Sequence, residues 1–109
     1  EVDGLVHAAG LAEHAALEDV TDEARARAWG LHVRAPLRMA RSLAVRWRER
    51  GRGGSFVAIS STLASRPAPS TLAYATSKAG LEALVRGLAV ELAPLGGRAN
   101  AVAPGVVKT

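Results

Sequence analysis

The chain has 109 residues, a formal net charge of +4 and a pI of about 10.7, and this length suffices for one small domain. Hydrophobic residues make up 49% of the sequence, aromatic residues only 4%, and cysteine is absent. The composition predicts a soluble globular protein with a core of Ala, Leu and Val, and it excludes disulfides and thiolate metal sites. No apolar run reaches the roughly 20 residues of a membrane-spanning helix, and we expect a cytoplasmic location.

The charges are segregated along the chain. Residues 1–23 contain seven acidic residues and no lysine or arginine, whereas residues 25–52 contain nine arginines and a single acid, Glu49. A basic surface of this kind is typical of nucleic-acid binding. One alternative is therefore a nucleic-acid binder that uses a stripe of arginines: Arg34, Arg38, Arg41 and Arg48. A solvated helix surface explains the same pattern, and we expect neither a nucleic-acid partner nor a membrane partner.

The first predicted elements are a strand and a long helix. The apolar stretch 2–10 (VDGLVHAAG) predicts a buried strand that runs into a loop. Thr21 can cap a helix that ends by Gly51, because its hydroxyl can accept from an N–H of the first turn. Pro36 has no N–H, so it predicts a kink in this helix and a free main-chain carbonyl on His32. Apolar side chains recur along the helix at spacings of four and three and predict one buried face: Val33, Leu37, Ala40, Ala44 and Trp47.

A second strand, a second helix and a third strand follow. Residues 55–61 (SFVAISS) predict a buried strand, residues 71–92 predict a helix with its leucines on one side, and residues 98–105 (RANAVAPG) predict a short strand and a turn. This alternation is typical of an α/β fold with a parallel sheet and right-handed crossovers. Ligands bind such sheets beyond the carboxyl ends of the strands. The segments HAAG, ISST and APG should therefore lie along one rim.

Tyr74 and Lys78 carry the clearest chemistry. They are four residues apart, so on a helix they face the same way. Ser61 lies at the exit of the preceding strand, and a returning loop can bring its hydroxyl towards the phenol. A free phenol titrates near pH ~10, too high for acid–base catalysis at neutral pH, and a close ammonium stabilises the phenolate. Lysine suits this task because its compact charge sits on a flexible stem, whereas arginine presents a wide planar fork.

The sequence resembles the middle of a short-chain dehydrogenase/reductase over nearly its whole length. The resemblance lies in Tyr74-x-x-x-Lys78, in Ser61 thirteen residues before the tyrosine, and in the segments GLVHAAG and NAVAPGVVKT, which follow the family's order. Within the family it is most similar to bacterial 3-oxoacyl-carrier-protein reductases. The resemblance implies a partial Rossmann-like parallel sheet, with residues 1–109 as the central part of one longer dinucleotide-binding and catalytic domain, and a homotetramer or dimer.

The resemblance also implies the reaction and the roles of single residues. Hydride passes between the nicotinamide of NAD or NADP and the carbon of a carbonyl/alcohol pair, on a small-molecule or acyl-carrier-bound substrate. Tyr74 is the general acid or base, Lys78 binds the nicotinamide ribose, and Ser61 hydrogen-bonds the reacting oxygen. Further cofactor contacts are implied after the first and third strands: Ala8, Ala9 and Gly10 on the adenosine side, and Pro104, Gly105, Val107 and Thr109 around the nicotinamide.

His32 departs from the family pattern, because it occupies the position of a catalytic asparagine whose main-chain carbonyl holds a water in the proton relay from the lysine. Either the relay persists through the carbonyl of His32, or the histidine only fills the helix kink and impairs it. We expect His7 to be a hydrogen-bonded structural histidine rather than a metal ligand or a base. Ser60 is a rival for Ser61, but neighbouring strand residues face opposite ways.

The glycine-rich loop that holds the cofactor pyrophosphate in this family is missing from the sequence. GRGG (51–54) precedes a strand instead of following one, so it predicts a turn. The substrate region that follows the Pro-Gly turn in the family is missing as well. A catalytically inactive fragment or scaffold of the same fold is therefore the alternative to an enzyme, and we expect no bound metal in either case.

Overall fold

Three parallel strands form one sheet in the computed structural model, which describes residues 3–10 and 12–105. The strands are β1 (Gly4–His7), β2 (Ser55–Ile59) and β3 (Arg98–Val102), and they lie side by side in this order. β2 pairs with both neighbours, and Phe56 is the partner of Leu5 on one side and of Ala99 on the other. The predicted α/β fold with a parallel sheet is confirmed, although each strand is shorter than its apolar run.

Two helical regions connect the strands. Between β1 and β2 lie α1 (Asp22–Trp29), a π-helical turn (Gly30–Arg34) and α2 (Ala35–Arg50), and between β2 and β3 lies α3 (Leu72–Leu92). Short 3₁₀ segments occur at Leu17–Asp19, Thr62–Ala64 and Ala93–Leu95. None of the helices in the described part of the chain is long and apolar enough to cross a membrane.

The first helical region begins and ends at the residues that the sequence predicts, Thr21 and Gly51. Thr21 caps α1 as predicted, because its hydroxyl accepts a hydrogen bond from the N–H of Ala24 at 3.1 Å. Gly51 ends α2 with a φ of 70°, a left-handed conformation that glycine adopts without steric cost. The long helix therefore has the start and the end that the sequence predicts.

The π-helical turn lies directly before Pro36, where the sequence predicts a kink. In this turn the N–H of Ala35 donates to the carbonyl of Gly30, one residue further back than in an α-helix. Pro36 follows as the second residue of α2, where its missing N–H is tolerated. His32 lies in the middle of the turn and is fully buried. A free main-chain carbonyl on His32 stays a prediction.

Both long helices pack on the same face of the sheet. The shared core contains Ala40, Leu43 and Trp47 of α2, Leu81, Val85, Leu88 and Leu92 of α3, and the strand residues Phe56, Ala58 and Ala99. The predicted apolar stripe of α3 is thus confirmed, with Val85 more deeply buried than Leu84.

The buried face predicted for α2 is wrong at Leu37, which is 38% exposed. Ala44 is partly buried and packs against the shared core. Leu37 lies one residue after the buried Pro36, which is about 100° around the helix. Small and apolar residues occupy both sides of this helix, so the spacing alone does not determine which side meets the sheet.

Gly80 lets the π-helical turn lie close to α3. A Cβ atom at this position would stand 2.9 Å from Cη2 of Trp29 and 3.2 Å from Cγ2 of Val33. The first distance is shorter than any ordinary carbon–carbon contact, so the Trp29 ring would have to shift before a side chain could fit here. His32 lies in the same π-helical turn as Val33 and contacts Ser77 of α3.

Candidate active site

The carboxyl ends of the three strands meet along one rim. The ammonium of Lys78 donates to the carbonyl of Ile59, the last residue of β2, at 2.7 Å. The N–H of Thr62 donates to the carbonyl of Pro104 at 3.3 Å, which joins the exits of β2 and β3. Gly10, three residues after β1, lies beside Lys78, with Nζ 3.7 Å from the position that a Cβ atom on Gly10 would take. The predicted rim is therefore formed, and Lys78 lies at its centre.

Tyr74 and Lys78 face the same way on α3, one turn apart, as predicted. Nζ of Lys78 lies 5.8 Å from the centroid of the Tyr74 ring. The Lys78 side chain is 3% exposed, and this burial lowers the pKa of its ammonium. Tyr74 is partly exposed, so a phenol that a substrate can reach stands beside a buried positive charge. This arrangement can move a proton to or from a bound oxygen.

Ser61 keeps a hydroxyl proton available at the same rim. Its Oγ accepts a hydrogen bond from the N–H of Leu63 at 3.1 Å, which leaves the O–H without an acceptor among the described residues. Ser60, the rival from the sequence, instead donates to Oε2 of Glu82 at 2.6 Å. The two neighbouring serines therefore differ in their hydrogen bonding, and only Ser61 can donate to a ligand without breaking an existing bond.

His32 lies beside Tyr74 on the buried side of the rim. Its Nδ1 atom is 2.7 Å from Oγ of Ser77, and its ring meets the Tyr74 ring edge-on, with centroids 5.4 Å apart and planes at 86°. Burial, followed by the positive charges of Lys78 and His7, lowers the pKa of His32 to about 4. The imidazole is therefore neutral at physiological pH.

Ser77 is a site residue that the sequence reasoning missed. It is fully buried and touches His32 across the interface between α3 and the π-helical turn. The sequence signal that could have identified Ser77 is its position directly before Lys78 and three residues after Tyr74, which places this small polar residue on the inner side of α3.

His7 is buried as predicted, but the predicted hydrogen bonds are absent. Among the described residues, neither of its ring nitrogens has a hydrogen-bond partner. Burial, followed by the charge of Lys78, lowers the pKa of His7, and the nearby carbonyl of Leu31 only partly opposes this shift. The ring fills the space under the rim without reaching that carbonyl in good geometry. No group of three side chains in the described ranges could hold a metal ion.

The predicted cofactor contacts lie at the rim where the structure describes them. Ala8, Ala9 and Gly10 form an exposed segment after β1, and Pro104 and Gly105 form another after β3. Val107 and Thr109 lie outside the described residues. The segment GRGG (51–54) is the turn between α2 and β2, as predicted.

The chain matches a protein family described as enoyl-(acyl carrier protein) reductase over residues 1–109. It is 41% identical to dehydrogenase/reductase SDR family member 4 of Pongo abelii over 93 residues, which cover 85% of this chain and 33% of that protein. It is 38% identical to L-xylulose reductase of Caenorhabditis elegans over 108 residues, 99% of this chain and 43% of that protein. The chain thus spans from a third to somewhat less than half of the length of these relatives.

Two solved dehydrogenase structures are also similar to this chain. A short-chain dehydrogenase from Mycobacterium smegmatis superposes with a TM-score of 0.93 at 35% identity, covering 97% of this chain and 43% of that one. 4-Hydroxyisoleucine dehydrogenase complexed with NADH superposes with a TM-score of 0.93 at 30% identity, covering 97% of this chain and 47% of that one.

Proposed function

Because the chain belongs to the short-chain dehydrogenase/reductase family, we propose that it forms the central part of an NAD(P)-dependent oxidoreductase domain that interconverts a carbonyl and an alcohol. The observation that carries this proposal is the rim itself. Ser61, Tyr74 and Lys78 come from two different elements, and each offers the group that the reaction needs: a free O–H, an accessible phenol and a buried ammonium.

The rim suits the nicotinamide end of such a cofactor. Gly10 has no side chain at a position where a Cβ atom would touch both Lys78 and His32, so the ammonium can be approached from the β1 side. Lys78 would hold the ribose, and Pro104 and Gly105 would lie against the nicotinamide. When bound, NAD or NADP would supply or take up the hydride. The exposed segment Ala8–Gly10 would contribute to the adenosine side, as the resemblance implies.

The proton chemistry would belong to this chain's own residues. Ser61 would donate a hydrogen bond to the reacting oxygen and orient it towards Tyr74. The phenol of Tyr74 would then give its proton to the oxygen in reduction, or take it in oxidation. The ammonium of Lys78 would lie close to this phenol, with Nζ 5.8 Å from the centroid of the Tyr74 ring.

The substrate class that we propose is a small-molecule or acyl-carrier-bound carbonyl or alcohol. The relative named L-xylulose reductase and the neighbour named 4-hydroxyisoleucine dehydrogenase both support carbonyl/alcohol chemistry. The description of the matching family supports an acyl-carrier-bound substrate.

We also propose that the whole protein is a homo-oligomer, a dimer or a tetramer, and that it is cytoplasmic. Apolar side chains on the outer surfaces of the helices support the assembly: Val45 of α2 is 53% exposed and Val90 of α3 is 75% exposed. A second copy of the same helices would cover them.

The test is a Tyr74→Phe change in the whole protein, which keeps the ring and removes the phenol oxygen. Turnover of NAD(P)H with a carbonyl substrate should fall by about 10²–10⁴-fold, the usual contribution of a positioned acid or base. Binding of NAD(P)H, followed by fluorescence titration, should persist. Turnover at the wild-type rate would contradict the proposed role of Tyr74.

The adjacent serines provide a matched pair of variants. Ser61→Ala should reduce kcat, because it removes the O–H that faces the reacting oxygen. Ser60→Ala removes a hydroxyl of the same size that bonds Glu82, so it should lower stability with little change in kcat. If the wild-type protein binds NAD(P)H but turns over no carbonyl or alcohol, the scaffold alternative replaces the enzyme.

A further inference from the structure

His7 points from the end of β1 into the layer of helices, and its ring has no hydrogen-bond partner there. It lies two residues after Leu5, which packs against the shared core, so both side chains are on the same face of the sheet. His7 is 2% exposed, and within residues 3–10 and 12–105 neither Nδ1 nor Nε2 has a partner. Buried polar atoms in folded proteins are nearly always hydrogen-bonded, to protein or to ordered water.

The carbonyl of Leu31, in the π-helical turn, is a second group that lacks its donor. In an α-helix it would accept from the N–H four residues further on, which is that of Ala35, but this N–H donates to the carbonyl of Gly30. In a π-helix it would accept from residue 36, and Pro36 has no N–H. The π-helical turn and the proline together leave the Leu31 carbonyl without the donor of either helix type.

The ring of His7 and the carbonyl of Leu31 lie close together, because this carbonyl acts on the pKa of the ring, yet no direct hydrogen bond joins them. Burial, followed by the charge of Lys78, lowers the pKa of His7, so the ring is neutral at pH 7. A neutral imidazole has one N–H and one acceptor nitrogen. The acceptor nitrogen and the carbonyl therefore both need a donor, and a water molecule has two hydrogens.

We propose that one buried water lies between His7 and the π-helical turn, where it donates one hydrogen to the acceptor nitrogen of His7 and the other to the carbonyl of Leu31. Buried waters typically bond two to four polar groups of the protein. This water ties the end of β1 to the turn that Pro36 interrupts. The site is independent of the proposed function, since neither of its two partners takes part in the chemistry described above.

Other occupants fit these two groups less well. A metal ion would meet the positive charge of Lys78, which lies near the ring, and the described ranges contain no group of three ligating side chains. An anion would meet the carbonyl oxygen of Leu31, which can only accept hydrogen bonds. A small neutral molecule with two hydrogens to donate satisfies both partners.

The first experiment compares His7→Gln with His7→Met in the whole protein. The two side chains have nearly the same length and shape, but only Gln ends in a polar group that can retain the water. In urea, the unfolding equilibrium constant of His7→Met should exceed that of His7→Gln by about 10-fold, the usual effect of leaving a buried polar group unsatisfied. His14→Met is the control, because His14 is exposed, and it should unfold like the wild type. A Met variant as stable as the Gln variant would overturn the proposal.

The second experiment asks whether the water reaches the carbonyl of Leu31. Pro36→Ala restores an N–H at residue 36, so this carbonyl gains a donor in either register: from residue 36 if the turn stays π-helical, or from Ala35 if it becomes α-helical. In a double-mutant cycle, His7→Met should therefore change the unfolding constant much less in the Pro36→Ala protein than in the wild type. Additive effects of the two changes would refute the contact with Leu31.

A high-resolution crystal structure of the whole protein observes the site directly. A water should lie within about 3.2 Å of a ring nitrogen of His7 and of the carbonyl oxygen of Leu31, and it should be missing in His7→Met. A direct bond between the ring and this carbonyl, or a protein donor in place of the water, would overturn the proposal. Tyr74→Phe should leave the water in place, so a failure of the proposed function and a failure of this inference are distinguishable.

Discussion

Gly80 offers a direct test of how the site is assembled. A Gly80→Ala change puts a Cβ atom 2.9 Å from the Trp29 ring and 3.2 Å from Val33, and overpacking of this kind costs about 1–3 kcal/mol. The same change gains helix propensity, worth about 0.5–1 kcal/mol. Gly30→Ala isolates that gain, because Gly30 has α-helical φ and ψ angles of −57° and −43° and no atom lies within 4 Å of its Cβ position.

Because both variants gain the same helix propensity, the difference between their unfolding free energies reports the overpacking at Gly80 alone. Urea unfolding of the whole protein should show Gly30→Ala slightly more stable than the wild type and Gly80→Ala less stable than Gly30→Ala by about 1–3 kcal/mol. The environment of Trp29 should also change in Gly80→Ala, visible as a shift of tryptophan emission. Because the displaced turn carries His32, kcat should fall with it. Equal unfolding midpoints for the two variants would refute the claim that Gly80 holds the π-helical turn against α3.

Two further predictions concern pH and assembly. The pKa of His32 is lowered from 6.5 to about 4, so the unfolded chain binds this proton more tightly than the folded chain. The contribution of His32 to the free energy of unfolding is therefore complete above about pH 6.5, and it is lost as the pH drops towards about 4, by an amount on the order of 3 kcal/mol. In urea titrations at several pH values, His32→Gln should make the stability depend less on pH. The same pH dependence in the variant and the wild type would contradict this role of His32. For the assembly, light scattering should give a dimer or tetramer, and Val90→Arg should dissociate it while the fold persists by circular dichroism. A wild-type monomer would contradict the proposed interface.

Local patterns predict most of the fold and part of the site. The cap at Thr21, the end at Gly51 and the helical spacing of Tyr74 and Lys78 each depend on neighbours in sequence, and the structure has all three. The shared rim follows from the parallel order of the strands, which is a general property of such sheets.

Features that depend on packing between distant segments could not be predicted from the sequence. His32 and Ser77 are 45 residues apart, and they meet only when the π-helical turn packs against α3. The orientation of α2 is another case, since Pro36 is buried and its neighbour Leu37 is exposed. The contact of Ser60 with Glu82 also joins separate elements. In each case the residue types allow several contacts, and the tertiary arrangement selects one.

Three groups that can carry a positive charge lie together under the rim, and this explains how a histidine can occupy such a position. His7, His32 and Lys78 cannot all be charged in a buried space, because burial and mutual repulsion both disfavour the second and third charge. Lysine begins with an ordinary pKa of 10.5 and histidine with 6.5, so the two rings lose their protons first and the ammonium keeps its own. The burial that lowers the pKa of His32 therefore also keeps a second positive charge away from Lys78.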